Sequence, residues 1–81
     1  MGNYIKDYIR QIEFKITLKN NIIDIENYTE LGNISDKEII IFNERKKIII
    51  KGKGLSIAKM YNNEILITGN YNNIIFEGFN E

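Results

Sequence analysis

The sequence predicts a mainly β protein: a single small domain of about six to eight short, mostly antiparallel strands, preceded by a short N-terminal amphipathic helix. Apolar and polar residues alternate from residue 13 onward, which is the period of a half-buried strand. Turn signals recur at nearly even spacing, near residues 20, 33, 44, 53, 62 and 71. The 19 isoleucines favour strands, and the 12 asparagines favour tight turns. This combination is typical of a meander, a sandwich or a roll.

The first twelve residues differ from the rest of the chain, because their apolar residues recur at the three- and four-residue spacing of a helix. These residues are Tyr4, Ile5, Tyr8, Ile9 and Ile12. A helix of about three turns is marginal in water, so it needs a surface to pack on. We expect residues 1–12 to form an amphipathic helix that covers one face or edge of the sheet. Docking of this helix to a partner is the alternative.

Residues 13–81 are predicted to form an all-β domain. Strand patterns cover residues 14–19, 23–26, 38–42, 47–52, 55–60, 64–68 and 74–79, and a weaker pattern lies within 28–35. The pairs Asn20-Asn21 and Asn62-Asn63 predict hairpin turns. The segment Gly52-Lys53-Gly54 predicts a bend between strands, and residues 69–73 predict a turn. A recurring Ile-x-Ile-x-Gly/Asn unit keeps a short β-helix-like roll as an alternative fold.

Two of the predicted strands are apolar on both faces. Continuous apolar runs indicate burial on both sides, whereas a strand covered on one side should alternate. The runs contain Ile39, Ile40, Ile41 and Phe42 in one strand, and Ile48, Ile49 and Ile50 in the next. The helix or a folded-over sheet could cover the second face, and so could another subunit. We take these residues as the candidate interface and expect a homo-oligomer, since so short a chain buries a marginal core.

Composition excludes several classes of function. The chain has no His and no Cys, so it offers no imidazole base, no thiol nucleophile and no Cys-based zinc site. Its carboxylates are dispersed along the sequence and show neither the pairing of a glycosidase nor the spacing of a calcium loop. We therefore predict a non-enzymatic protein with no catalytic residue, no cofactor and no metal.

The 11 basic and 11 acidic side chains give a net charge of zero, and this balance argues against a nucleic-acid partner. A small β-barrel that binds single-stranded nucleic acid is the alternative, because a strand face with lysines and aromatics suits single strands. The lysines concerned are Lys46, Lys47, Lys51, Lys53 and Lys59.

Six pieces of the sequence, read in order, resemble a known family. They are Ile16–Leu18, Ile23–Tyr28, Ile34–Ile39, Ile48–Ile57, Glu64–Gly69 and Ile74–Phe76. Each piece alone is a common strand pattern, so the resemblance to one family depends on the order and spacing of the six pieces. In that order they resemble the YabP/YqfC family of sporulation proteins, more closely its YqfC side. The resemblance spans about four-fifths of the chain.

The resemblance implies a protein of the mother-cell cytoplasm in an endospore-forming bacterium. It implies an assembly or adaptor role at the forespore surface or spore coat, with a membrane-associated sporulation protein of the YqfD type as a partner. It supplies no catalytic residue. We expect a soluble protein without a transmembrane segment, because the longest apolar run, Ile39–Phe42, is far below the roughly 18 residues that a span needs.

Overall fold

Six strands form one antiparallel β-sheet in residues 13–79, the part of the chain that the computed structural model describes. The strands are β1 (Lys15–Lys19), β2 (Ile22–Glu26), β3 (Glu30–Ile34), β4 (Glu38–Asn43), β5 (Lys46–Tyr61) and β6 (Glu64–Glu77). Their order across the sheet is β1-β2-β6-β5-β4-β3. The mainly β, antiparallel prediction is confirmed. The β-helix-like alternative is wrong, because its strands would pair in parallel. The helix predicted over residues 1–12 lies outside the described residues.

Asparagines form two of the tight turns, as the sequence predicts. Asn62 and Asn63 join β5 to β6, and their φ angles of 50° and 61° lie in the left-handed region that a type I′ hairpin turn requires. Asn21 has a φ of 59° in the turn between β1 and β2. Glu44 takes the same conformation, with a φ of 62°, between β4 and β5. Asparagine adopts this conformation more readily than glutamate, because its short side chain can bond to the local backbone.

The strands β5 and β6 are far longer than the sequence predicts. Each joins two predicted strands, because β5 continues through Gly52–Gly54 and β6 continues through residues 69–73. The turn predicted at residues 69–73 is wrong, since the backbone there remains in the sheet and shifts register instead. The shifts in β5 fall between Lys51 and Gly52, between Lys53 and Ser56, and between Ile57 and Lys59. Such irregularities bend a strand without ending it.

The turn between β3 and β4 holds the bend of β5 in place. The Gly52 N–H donates to the carbonyl of Lys37 at 3.0 Å, and the Leu55 N–H donates to the carbonyl of Asp36 at 2.8 Å. Ser35 stabilises this turn, because the backbone N–H of Lys37 donates to its Oγ at 3.2 Å. The irregular part of β5 therefore keeps backbone hydrogen bonds where it leaves the regular ladder.

The bend divides the sheet into two layers. The first layer contains β1, β2, the end of β5 and the start of β6, and the second contains β3, β4, the start of β5 and the end of β6. Buried side chains from both layers form one apolar cluster: Ile23, Ile25, Ile65 and Ile67 from the first, Ile39, Ile41, Ile48 and Ile50 from the second, and Leu55 at the bend. Both layers can contribute to one cluster only if the sheet folds over on itself.

Aromatic rings connect the two layers at the end opposite the bend. The ring centroids of Phe14, before β1, and Phe79, after β6, lie 6.3 Å apart. Phe76 meets Phe79 edge to face at 5.4 Å, a favourable arrangement for two aromatic rings. The side-chain amide of Asn27 donates to the carbonyl of Glu13 at 2.7 Å and holds the backbone before β1. These contacts hold the two layers together at the end opposite the bend.

Replacing Gly52 by alanine tests the bend. A Cβ at this position would meet the carbonyl oxygen of Asn70 and lie 2.7 Å from the Cα of Tyr71, and neither backbone can move without disturbing the sheet. We expect Gly52→Ala to lower the free energy of unfolding by about 2–3 kcal/mol, measured by urea denaturation followed by circular dichroism. Gly54→Ala is the control, because its Cβ enters open space and only the φ of 63° opposes it. Equal losses in the two variants would contradict the close approach at Gly52.

Candidate functional site

The seven residues predicted as an interface divide between the two faces of the second layer. Four are 0% exposed and belong to the core cluster: Ile39, Ile41, Ile48 and Ile50. The other three lie on the outer face, because alternate residues of a strand point to opposite sides: Ile40, Phe42 and Ile49. Each continuous apolar run therefore places alternate residues in the core and on the outer face. Of the outer three, Ile40 and Phe42 are half-buried and can contact a partner while the sheet stays folded, whereas Ile49 is buried.

A row of three isoleucines crosses this outer face. Ile40 on β4 pairs with Ile49 on β5, and Ile49 pairs with Ile75 on β6. Ile49, in the centre, is 8% exposed, and Ile75, at the end, is 37% exposed. Phe42 lies beside Ile40 on the same face and is half-buried. We call these four residues the isoleucine face. All six strands of residues 13–79 belong to the folded sheet, so none of them covers it.

The sequence prediction missed Ile75. This residue is the middle of the run Ile74-Ile75-Phe76, which is also continuously apolar. The run carries the same signal as the two runs chosen as the candidate interface, and applying that criterion to the last strand would have identified it.

Charged residues border the isoleucine row on both sides. On one side, Glu38 pairs with Lys51 across β4 and β5. On the other side, Lys47 pairs with Glu77 across β5 and β6. Opposite charges at directly paired positions stabilise a sheet by roughly 0.2–1 kcal/mol. An apolar centre with a polar rim is the arrangement of a protein–protein interface.

The central lysines are spread over different parts of the sheet. Two of them pair with the acids just described. The Nζ of Lys46 lies 5.1 Å from the ring centroid of Phe79, within the range of a cation–π interaction. Lys59 lines a pocket together with Glu64 on the first layer, and Lys53 is exposed at the bend. Nucleic-acid binding needs positive charge gathered on one surface, so this distribution does not favour it.

Three carboxylates meet on the outer face of the first layer. Asp24 and Glu26 lie on β2 and Glu64 lies on β6, and one oxygen from each lies within 4.8 Å of the others. The strand pairing explains this proximity, because Glu26 lies directly opposite Glu64, and Asp24 lies two residues along the same face of β2. Oδ1 of Asp24 is buried and has no hydrogen-bond partner. We call these three residues the acidic cluster.

The acidic cluster raises the pKa of the Glu64 carboxyl. The largest cause is a hydrogen bond that the protonated carboxyl makes with Asp24, followed by the negative charge of Asp24. Loss of solvent and the charge of Glu26 act in the same direction, and the Lys59 ammonium acts in the opposite one. A hydrogen bond between two carboxyls needs a proton on one of them, so protonation of Glu64 relieves the repulsion.

Asp24 and Glu64 line a pocket of about 190 Å³ together with Lys59, Tyr61 and Leu66. Carboxylates are ligands for hard cations, but Ca²⁺ takes about six to eight oxygens and the cluster contributes three carboxylates. The Lys59 ammonium supplies positive charge at the same place. The pocket therefore supports neither a complete metal shell nor a catalytic pair, and the isoleucine face is the stronger candidate site.

No family model, no curated protein and no solved structure matches the chain. The resemblance to the YabP/YqfC family therefore rests on the sequence motifs alone. In residues 13–79 there is no helix with the length and apolarity needed to cross a membrane.

Glu64→Gln tests the repulsion in the acidic cluster. The folded protein holds the Glu64 proton more tightly than the unfolded chain, so the cluster destabilises the fold at neutral pH. This cost disappears as the pH falls through the raised pKa toward the ordinary value of 4.5. We expect Glu64→Gln to raise the melting temperature at neutral pH, and the difference from the unchanged protein to shrink on acidification.

Glu44→Gln is the control, because it removes a carboxylate from the exposed turn between β4 and β5, outside the acidic cluster. A melting temperature that falls in Glu64→Gln at neutral pH would mean that attraction to Lys59 outweighs the repulsion among the carboxylates.

Proposed function

We propose that this protein is a non-enzymatic assembly or adaptor module that acts in endospore formation. It would work in the mother-cell cytoplasm, at the forespore surface or the spore coat. The sporulation context rests on the sequence motifs that resemble the YabP/YqfC family. The binding role rests on the isoleucine face.

The isoleucine face is the observation that carries the binding role. The water-facing side of an antiparallel sheet is commonly polar. The outer face of the first layer follows this rule in part, since Asp24 and Glu64 lie there beside the apolar Leu66. The second layer departs from it with Ile40, Ile75 and their two apolar neighbours. Covering apolar surface contributes about 25 cal/mol per Å², so a partner that covers Ile40 and Ile75 gains free energy from their burial.

We propose two partners: a membrane-associated sporulation protein of the YqfD type, which would cover the isoleucine face, and a second copy of this chain. The first of these follows from the family resemblance alone. The charged pairs Glu38–Lys51 and Lys47–Glu77 would add orientation to the apolar contact, because charges at a rim favour one docking geometry over others. An adaptor of this kind needs surfaces rather than reacting groups, in keeping with a chain that has no His and no Cys.

Ile40→Lys, introduced into a host strain that lacks the gene, tests the proposal. Deletion should reduce the number of heat-resistant spores and leave vegetative growth unchanged, and the unchanged gene should restore sporulation. We expect Ile40→Lys to restore it about tenfold less well or worse, because an unpaired charge within an apolar contact costs several kcal/mol. Spore counts after heating provide the measurement.

Thr17→Lys is the matched control, because it places the same side chain on the outer face of the first layer and should restore sporulation fully. Both variants must keep the melting curve of the unchanged protein, and Ile40→Thr replaces Ile40→Lys if the latter fails to fold. Resistant spores from the deletion strain, or full restoration by a folded Ile40 variant, would overturn the proposal.

A further inference from the structure

The strand β6 has a free edge along its last residues. On that side β2 pairs with β6 only over residues 64–68. The hairpin of β1 and β2 ends beside Tyr71, whose hydroxyl donates to the carbonyl of Lys19 at 2.8 Å. Within the described part of the chain, no strand pairs with the outward edge of residues 73–77. Such an edge presents backbone N–H and C=O groups that can bond to another strand.

The other free edges carry features that discourage pairing. The strand β1 begins and ends with exposed lysines, Lys15 and Lys19. The strand β3 has a register shift after Leu31, and the second half of β5 has one beside Lys59. Lysines and bulges at edges are the usual means by which sheets avoid association. Residues 73–77 contain no lysine, their single charged residue is Glu77 at the end of the segment, and their pairing with β5 is regular throughout.

This unguarded edge is also apolar on both faces. Ile75 lies on the outer face and is 37% exposed, and Phe76 lies on the other face and is 49% exposed. Ile74 shares the face of Phe76 and packs against the core cluster. A strand that pairs here would therefore cover apolar side chains as well as backbone groups.

The sequence of the edge is complementary to itself. In an antiparallel pair with Ile75 opposite Ile75, Ile74 of each copy lies opposite Phe76 of the other, so apolar residues meet on both faces. Asn73 lies opposite Glu77 in the same register, so no like charges meet. Moving the two-fold axis by one residue, to Phe76, would place Glu77 opposite Ile75.

We propose that two copies of this chain pair antiparallel through residues 73–77 of β6, around a two-fold axis at Ile75. The pairing joins the two isoleucine rows end to end, so that Ile40, Ile49 and Ile75 of one copy continue into Ile75, Ile49 and Ile40 of the other. The dimer has one continuous sheet and an apolar stripe of twice the length. This inference deepens the proposed assembly function and rests on it only for the biological use of the dimer.

A single-cysteine experiment tests this pairing, because the chain has no cysteine of its own. Paired residues of antiparallel strands have Cα atoms about 4.5–5.5 Å apart, and a disulfide spans about 4.4–6.8 Å. We expect Ile75→Cys, in the full chain, to form a disulfide-linked dimer under mild oxidation. The measurement is the rate of dimer formation on a non-reducing gel, with circular dichroism to confirm that the variant is folded.

Ile40→Cys is the matched control on the same face. In the proposed dimer the two Ile40 positions lie about 24 Å apart, which is five spacings of about 4.8 Å between strands. This variant should link slower by a factor on the order of ten or more. A mixture of Asn73→Cys and Glu77→Cys chains tests the register, because the mixture should link efficiently and each variant alone should not.

Faster linkage of Ile75→Cys than of Ile40→Cys, together with linkage of the mixture, supports the pairing. If Ile75→Cys and Ile40→Cys link at equal rates, the two copies meet through the face of the sheet instead of the edge, and the proposed pairing is wrong. A monomer in sedimentation of the unchanged chain would also overturn it. The two proposals can fail separately. If the chain forms the edge-paired dimer but the deletion strain forms normal spores, the proposed function is wrong and the pairing remains supported.

Discussion

The bend of β5 at Gly52 is the constraint on which the rest of the structure depends. Without it, β5 and β6 would form a long ribbon with its apolar side chains in water. The bend turns one end of this ribbon onto the other, and isoleucines from both layers then form one core. The absence of a side chain at Gly52 lets the backbone of Asn70 and Tyr71 approach closely, and the carbonyl of Lys37 accepts its N–H. Gly52 therefore allows the close backbone contact of the bend and donates one of the hydrogen bonds that hold it.

The same fold gives the two outer faces different chemistry. The outer face of the first layer carries the acidic cluster and is well suited to water. The outer face of the second layer carries the isoleucine row, whose last member, Ile75, lies on the unguarded edge of β6. Face and edge are therefore continuous, and one strand offers a partner both backbone hydrogen bonds and apolar contact. This geometry gives the proposed assembly module apolar side chains and free backbone groups at the same place.

Local patterns predicted much of the fold, and pairing across the sheet decided the rest. Alternation located the strands, and paired asparagines located turns such as Asn62-Asn63. A glycine bulge and a turn use the same residue types, so the sequence could not show that residues 69–73 continue a strand. Continuous apolar runs predicted burial on two faces but not which residues point inward, because a shift of one residue exchanges the faces. The acidic cluster depends on Glu26 facing Glu64 across strands distant in sequence, which spacing along the chain does not reveal.

The most direct test of the account compares alanine at two adjacent positions on β4. Ile41 is 0% exposed in the core, and Ile40 lies on the outer face. Urea denaturation should show that Ile41→Ala lowers the free energy of unfolding by about 2–5 kcal/mol, and that Ile40→Ala costs about 1 kcal/mol or less. Ile41→Val and Ile40→Val provide the same comparison if the alanine variant does not fold. Equal losses at the two positions, or a larger loss at Ile40, would contradict the assignment of inner and outer faces.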